Sequence, residues 1–125
     1  MRRGKGDGGQ ASVELALVLP LVVMLLMAVL QLGLIVRDQI LVVHAAREGA
    51  REAAVDPSPD AARRAAAASS TLAEPRLTVT ITGRAAAGSR VRVQVAYRSA
   101  TAVPLVGSAL GDLTLRASAT MRVER

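Results

Sequence analysis

Residues Leu15 to Val36 read LALVLPLVVMLLMAVLQLGLIV, a run of 22 positions without a charge. At 1.5 Å of rise per residue such a helix crosses a hydrocarbon core about 30 Å thick. A buried helix in a soluble protein would need apolar partner surface on every side. The remainder of a 125-residue chain does not supply it. The run is therefore read as a single transmembrane helix, and its reading decides the architecture of everything after it.

The flanks give this helix a direction. Arg2, Arg3 and Lys5 precede it in the Gly-rich leader MRRGKGDGG, residues 1–9, whereas Arg37 and Asp38 cancel just beyond it. Positive charge favours the cytoplasmic side. The expectation is a single-pass protein of the cytoplasmic membrane, with its N-terminus in the cytoplasm and its C-terminal part outside. A cleaved secretory signal is the competing reading. The apolar run exceeds the usual 7–15 residues of such a signal, although His44-Ala45-Ala46 offers a small-residue cleavage site.

Composition supports the division into a span and a small exterior domain. Apolar residues make up 51% of the chain and aromatics 1%, with Tyr97 standing alone. A soluble core of this size normally draws on aromatic bulk, so the apolar content belongs mostly to the membrane. Without cysteine there is no disulfide framework and no thiolate metal site. The net charge of +6 invites a nucleic-acid reading. The arginines are scattered and no aromatic stacking platform accompanies them, so no nucleic-acid partner is expected.

Downstream of the span the helical pattern persists through RDQILVVHAAREGAREAAVD, residues 37–56. Val42, Ala46, Gly49 and Ala53 recur at spacings of three and four, a narrow stripe of small residues suited to helix packing. Glu48 and Arg51 are spaced for an ion pair. Pro57 and Pro59 stop the helix. Continuous from Ala11 to Val55, it would be roughly 65 Å long. Asp60 is placed to cap a short second helix over residues 60–74. The period then changes to two. Leu77, Val79 and Ile81 alternate with threonines; Val91, Val93, Val95 and Tyr97 alternate with Arg90, Arg92, Gln94, Ala96 and Arg98; Leu113, Leu115, Ala117, Ala119, Met121 and Val123 alternate with polar residues. These are three half-buried strands, with Gly83 to Ser89 as a hairpin connection. The apolar connection TAVPLVGSALGD, Thr101 to Asp112, is expected to fold back over the sheet and complete the core, or else to touch the membrane or a partner. The fold class is α+β and membrane-anchored: a long N-terminal helix extends into an exterior β-rich domain, residues 76–125, and lies against a small antiparallel three-stranded sheet.

No catalytic constellation is present in the sequence. There is one histidine, His44, and no Ser/His/Asp, metal-ligand or phosphate-loop spacing. The chain is not expected to be an enzyme, to need a cofactor or metal, or to take a small-molecule substrate. The outward arginines of the strands read as a solvated face, with an acidic surface polymer as the sharper alternative. One local arrangement is more specific. Gly9 ends the basic leader, Gln10 follows, and Glu14 stands five positions on, directly before the apolar run. A carboxylate at the membrane edge or deeper costs up to roughly 3 kcal/mol at the helix centre unless paired. A peptide-bond cut after Gly9 would create an ammonium group nearby. The plainer reading makes Glu14 an interfacial residue favoured by the helix dipole.

That arrangement resembles the processing site of type IV pilin-like proteins, in which a membrane peptidase cuts after the glycine. The wider stretch GQASVELALVLPLVVMLLMAVLQLGLIVRDQILVVHAAREGAREAA, residues 9–54, resembles the TadE-like domain of tight-adherence (Flp pilus) assembly systems. The resemblance lies in the glutamate at the start, the Leu-Pro step at Leu19-Pro20, the Gln31-Leu32-Gly33 near the end of the span, and the run from Ala45 to Arg51. An aromatic often follows the key glutamate in the pilin group, and here Leu15 does. The resemblance implies a pilin-like exterior domain, a minor pilin or pseudopilin role in pilus assembly or the associated secretion, and processing at Gly9, Gln10 and Glu14 by a prepilin peptidase. It implies as partners membrane lipid and other pilin-like subunits, in a bacterial cytoplasmic membrane or at a surface pilus. The alternative is an unprocessed membrane-anchored module that binds a cell-surface ligand.

Overall fold

The computed structural model describes residues 7–101, 103 and 105–124. Helix α1 runs from Asp7 to Val55 without a break, 49 residues and about 73 Å of axial rise. It is followed by α2 (Pro59–Ala68), a single 3-10 turn at Glu74–Arg76, strands β1 (Leu77–Thr82) and β2 (Arg90–Ser99), the short α3 (Val106–Leu110) and β3 (Leu113–Arg122). The sheet is antiparallel in the order β1-β2-β3. Val93 is opposite Ile81 on one side and Ala119 on the other, so apolar residues share one face as the alternation requires.

α1 is a different object along its length. From Gly8 to Leu30 its residues are exposed apart from a half-buried Met27, and this part is long and apolar enough to cross a membrane. Pro20 lies inside it, where its missing N–H leaves one helical hydrogen bond unmade. Beyond Arg37 the helix turns amphipathic. Val42, Ala45, Ala46, Ala50, Ala53 and Ala54 are buried there against the sheet and α2. The stripe expected from the sequence is thus one edge of a broader small-residue face.

The core is built on closeness instead of bulk. Its largest fully buried side chains are Val42, Val91, Val93 and Val95. Tyr97, the single aromatic, is also buried. Alanine and glycine on α1 bring backbone and sheet together, which recovers the dispersion contacts that larger side chains would otherwise make.

Several sequence expectations need correction. The helix begins at Asp7, so Gly8 and Gly9 of the leader are helical; residues 1–6, with Arg2, Arg3 and Lys5, lie outside the described residues. Asp60 is not the cap of α2. Pro59 takes the first helical position, where a missing N–H costs nothing, and this makes Ser58 the N-cap and puts Asp60 in the first turn. Asp60 pairs there with Arg63 at 3.4 Å. α2 ends at Ala68, short of Glu74. Ser69 donates its hydroxyl to the Ala66 carbonyl at 2.9 Å, a local bond that competes with helix continuation. Glu48 and Arg51 do not approach within ion-pair distance.

The loop after β2 departs furthest from expectation. Two of its leucines stay out of the core. Val103 is buried, but Leu105 and Leu110 are 73% and 66% exposed. The loop packs against α1, where the Val103 N–H donates to Gln31 Oε1 at 3.3 Å. Pro104 lies outside the described residues.

Candidate functional site

Two regions carry the residues singled out in the sequence, and they lie at opposite parts of α1. At its N-terminal end Gly9, Gln10 and Glu14 are all exposed. Helical periodicity stacks Gln10 and Glu14 one turn apart, and Gln10 Nε2 donates to Glu14 Oε1 at 3.3 Å. Ser12 donates its hydroxyl to the Gly8 carbonyl at 2.9 Å. The Gly9–Gln10 peptide bond therefore sits within a helical turn, with open space around Gly9. Two glycines in succession make that turn weak, by about 1 kcal/mol per residue relative to alanine. A new α-amino group on Gln10 would lie on the same helical face as Glu14, within one turn.

At the other region Val42, Ala46, Gly49 and Ala53 face the domain. Val42 is 0% exposed. Gly49 is the tightest point: a Cβ there would meet Val93 Cγ1 at 3.2 Å, Ala66 Cβ at 3.3 Å and the Ala62 carbonyl oxygen at 3.4 Å. It is the residue at which α1, α2 and β2 converge.

Polar bonds set the register of the sheet along α1. Ser99 donates its hydroxyl to Asp38 Oδ2 at 2.7 Å, and Gln39 Nε2 donates to the Arg116 carbonyl at 3.3 Å. At the far end the Glu124 N–H donates to the Ala54 carbonyl at 3.1 Å. The sheet therefore runs alongside α1 from the end of the apolar run outward, with the 101–112 loop at its proximal end and the 83–89 hairpin at its distal end. Arg84 from that hairpin closes α1: its Nη1 donates to the carbonyls of Ala53 and of Asp56, the latter at 2.9 Å. Nothing in the local sequence of Arg84 marks this role, because the contact spans some thirty residues.

The outer face of the sheet carries Arg90, Arg92, Arg98, Arg116 and Arg122, all exposed. Arg90 and Arg122 are register partners. Arg92 donates to the Ser118 hydroxyl at 3.1 Å, and Arg122 Nε to the Gly88 carbonyl at 3.2 Å. His44 is exposed on α1. Among the described residues no group of three His, Cys, Asp or Glu side chains is placed to hold a metal.

These features define a protein with one N-terminal apolar helix as membrane anchor, continuing as the packing spine of a small α+β domain. Residues 9–51, about a third of the chain, match the family model described as TadE-like protein. The match covers the apolar part of α1 and the small-residue face through Ala50; it stops before the sheet. No curated protein and no solved structure matches the chain.

Proposed function

We propose that this protein is a minor pilin or pseudopilin-type structural component in the assembly of tight-adherence pili or the associated secretion system. The observation that carries the reading is the coincidence of the TadE-like match with a single uninterrupted helix. The exposed apolar part of that helix anchors the chain in the cytoplasmic membrane. The part beyond it holds the exterior domain. In this reading the chain acts through contacts, not chemistry. Its partners are lipid, a prepilin-type peptidase and the helices of other pilin-like subunits, and it takes no nucleic acid or small-molecule substrate.

The N-terminal geometry supports processing as part of this reading. The peptidase unwinds the weak Gly8-Gly9 turn and cuts between Gly9 and Gln10. The new ammonium group on Gln10 then offsets the charge of Glu14 at the membrane edge, on the same chain or on a neighbour. Mass spectrometry of the protein purified from cells with an active prepilin peptidase is expected to find Gln10 as the first residue. Retention of Met1 would instead favour the unprocessed ligand-binding module. A reporter fused after Arg125 is expected to be active outside the cytoplasm; activity confined to the cytoplasm would overturn the orientation.

A further inference from the structure

We propose that the loop between β2 and β3, at Val103 and residues 105–111, is a second membrane contact that seats in the lipid interface beside α1. This rests on the reading that the apolar part of α1 crosses a membrane, and it concerns a segment outside the TadE-like match. The first support is depth. Val103 is bonded to Gln31, which is 2% exposed and stands five residues before the end of the apolar run at Val36. Five residues of helix are about 7.5 Å, so a span that ends at Val36 carries the loop below the membrane surface with it. That is the depth to which interfacial segments bury their apolar faces, about 5–10 Å.

The second support is the chemistry of the loop. From Ala100 to Gly111 it holds no charged residue. Leu105, Leu110 and the adjoining Leu113 are 73%, 66% and 48% exposed, an apolar patch that water alone would penalise. Leu105 takes φ +69°, a conformation costly for a branched side chain and natural for glycine. A leucine there gains from the surface it presents, not from the turn it makes.

The third support is that several of the loop's described backbone groups are bonded within the loop or to α1, which lowers the cost of meeting lipid. The Gly107 N–H donates to the Val103 carbonyl at 3.0 Å and the Gly111 N–H to the Gly107 carbonyl at 3.1 Å. The Ser108 hydroxyl donates to the Leu105 carbonyl at 3.0 Å, and the Thr101 hydroxyl to the Gly111 carbonyl. Gln31 in turn takes the Val103 N–H, so a polar residue within the span and a loop donor satisfy each other. The occupant of the patch is therefore lipid, and the loop and helix together grip one leaflet.

The absence of cysteine makes the test direct. Leu105→Cys, Leu110→Cys, Leu21→Cys and Thr80→Cys are each made in the full-length chain and labelled with a polarity-sensitive fluorophore. They are reconstituted in phosphatidylcholine–phosphatidylglycerol vesicles with or without nitroxide-labelled lipid. All four positions are exposed, so none disturbs the core. The expected result is a blue shift and loss of emission to nitroxide lipid at positions 21, 105 and 110, with position 80 unchanged. Quenching at 21 with water-like emission at 105 and 110 would overturn the loop proposal and leave the span intact. No quenching at 21 would remove the span and the proposal with it. Shielding at 105 and 110 that follows protein density and ignores nitroxide lipid would assign the patch to a second copy, and would also overturn the proposal.

Discussion

At Gly49 the spacing of α1, α2 and β2 depends on the absence of a single carbon. A Cβ there would stand 3.2 Å from Val93 Cγ1 and 3.3 Å from Ala66 Cβ, closer than ordinary van der Waals contact. Glycine inside a helix normally costs up to about 1 kcal/mol relative to alanine, so Gly49→Ala would stabilise an open helix. Here the gain is opposed by compression of Val93 and Ala66. Gly49→Leu has no room at all and is expected to cost about 1–3 kcal/mol by overpacking, with loss of assembly. Arg51, two residues on, is exposed, and Arg51→Ala is expected to stay within about 0.5 kcal/mol. Thermal unfolding of the two variants side by side checks the contrast; equal melting temperatures would remove Gly49 as a junction. The position was legible in the sequence because helical spacing alone aligns it with Val42, Ala46 and Ala53. Its second neighbour, α2, was not legible, because nothing in the run from Ala61 to Ala68 indicates which helix it meets.

At the scale of elements, legibility tracks periodicity. The change of period near Leu77 announces the strands, and the observed register pairs the residues that alternation assigns to one face. Boundaries set by competition between local bonds were less legible. Pro59 displaces Asp60 from the cap, Ser69 ends α2 early, and Gly8-Gly9 stay helical although glycine disfavours it. The C-terminal end of α1 shows why a long-range contact escapes sequence reading altogether. The last carbonyls of any helix lack intrahelical donors, and α1 meets its donor in Arg84, across the hairpin. A cation there also complements the helix dipole. Arg84→Ala is expected to destabilise the domain by about 1.5–3 kcal/mol, the range for a lost hydrogen bond to a charged donor. Amide hydrogen exchange should localise the loss to residues near Val55. Unchanged protection in that last turn would show that the guanidinium contributes nothing to closing the helix.

On the scale of the whole molecule, the connection from Thr101 to Asp112 separates two kinds of apolar surface. Alternation and composition treat all leucines alike, so the sequence left open a loop that completes the core or one that touches the membrane or a partner. Leu105 and Leu110 stay exposed and out of the core, and where a loop lies along α1 is a property of the assembled molecule. The buried residues from Val42 to Ala54, with Ala62, Ala66, Val91, Val93, Val95, Tyr97, Leu115 and Val123, all follow Arg37. A fragment starting at Arg37 thus retains this core and is expected to fold without the membrane span. In that fragment Leu105→Asp combined with Leu110→Asp is expected to leave the melting temperature unchanged, because two exposed side chains bury no carboxylate. Val93→Ala, which empties a fully buried site, is expected to cost about 2 kcal/mol. For a domain of this size that is a fall of roughly 8–16 °C. Circular dichroism melts of the three fragments read both outcomes together. A large fall for the double aspartate variant would mean that Leu105 and Leu110 fold onto the sheet once Gln31 is gone, and the loop would belong to the core after all. An unchanged melt keeps the loop off the sheet and leaves its leucines free to meet the surface beside α1.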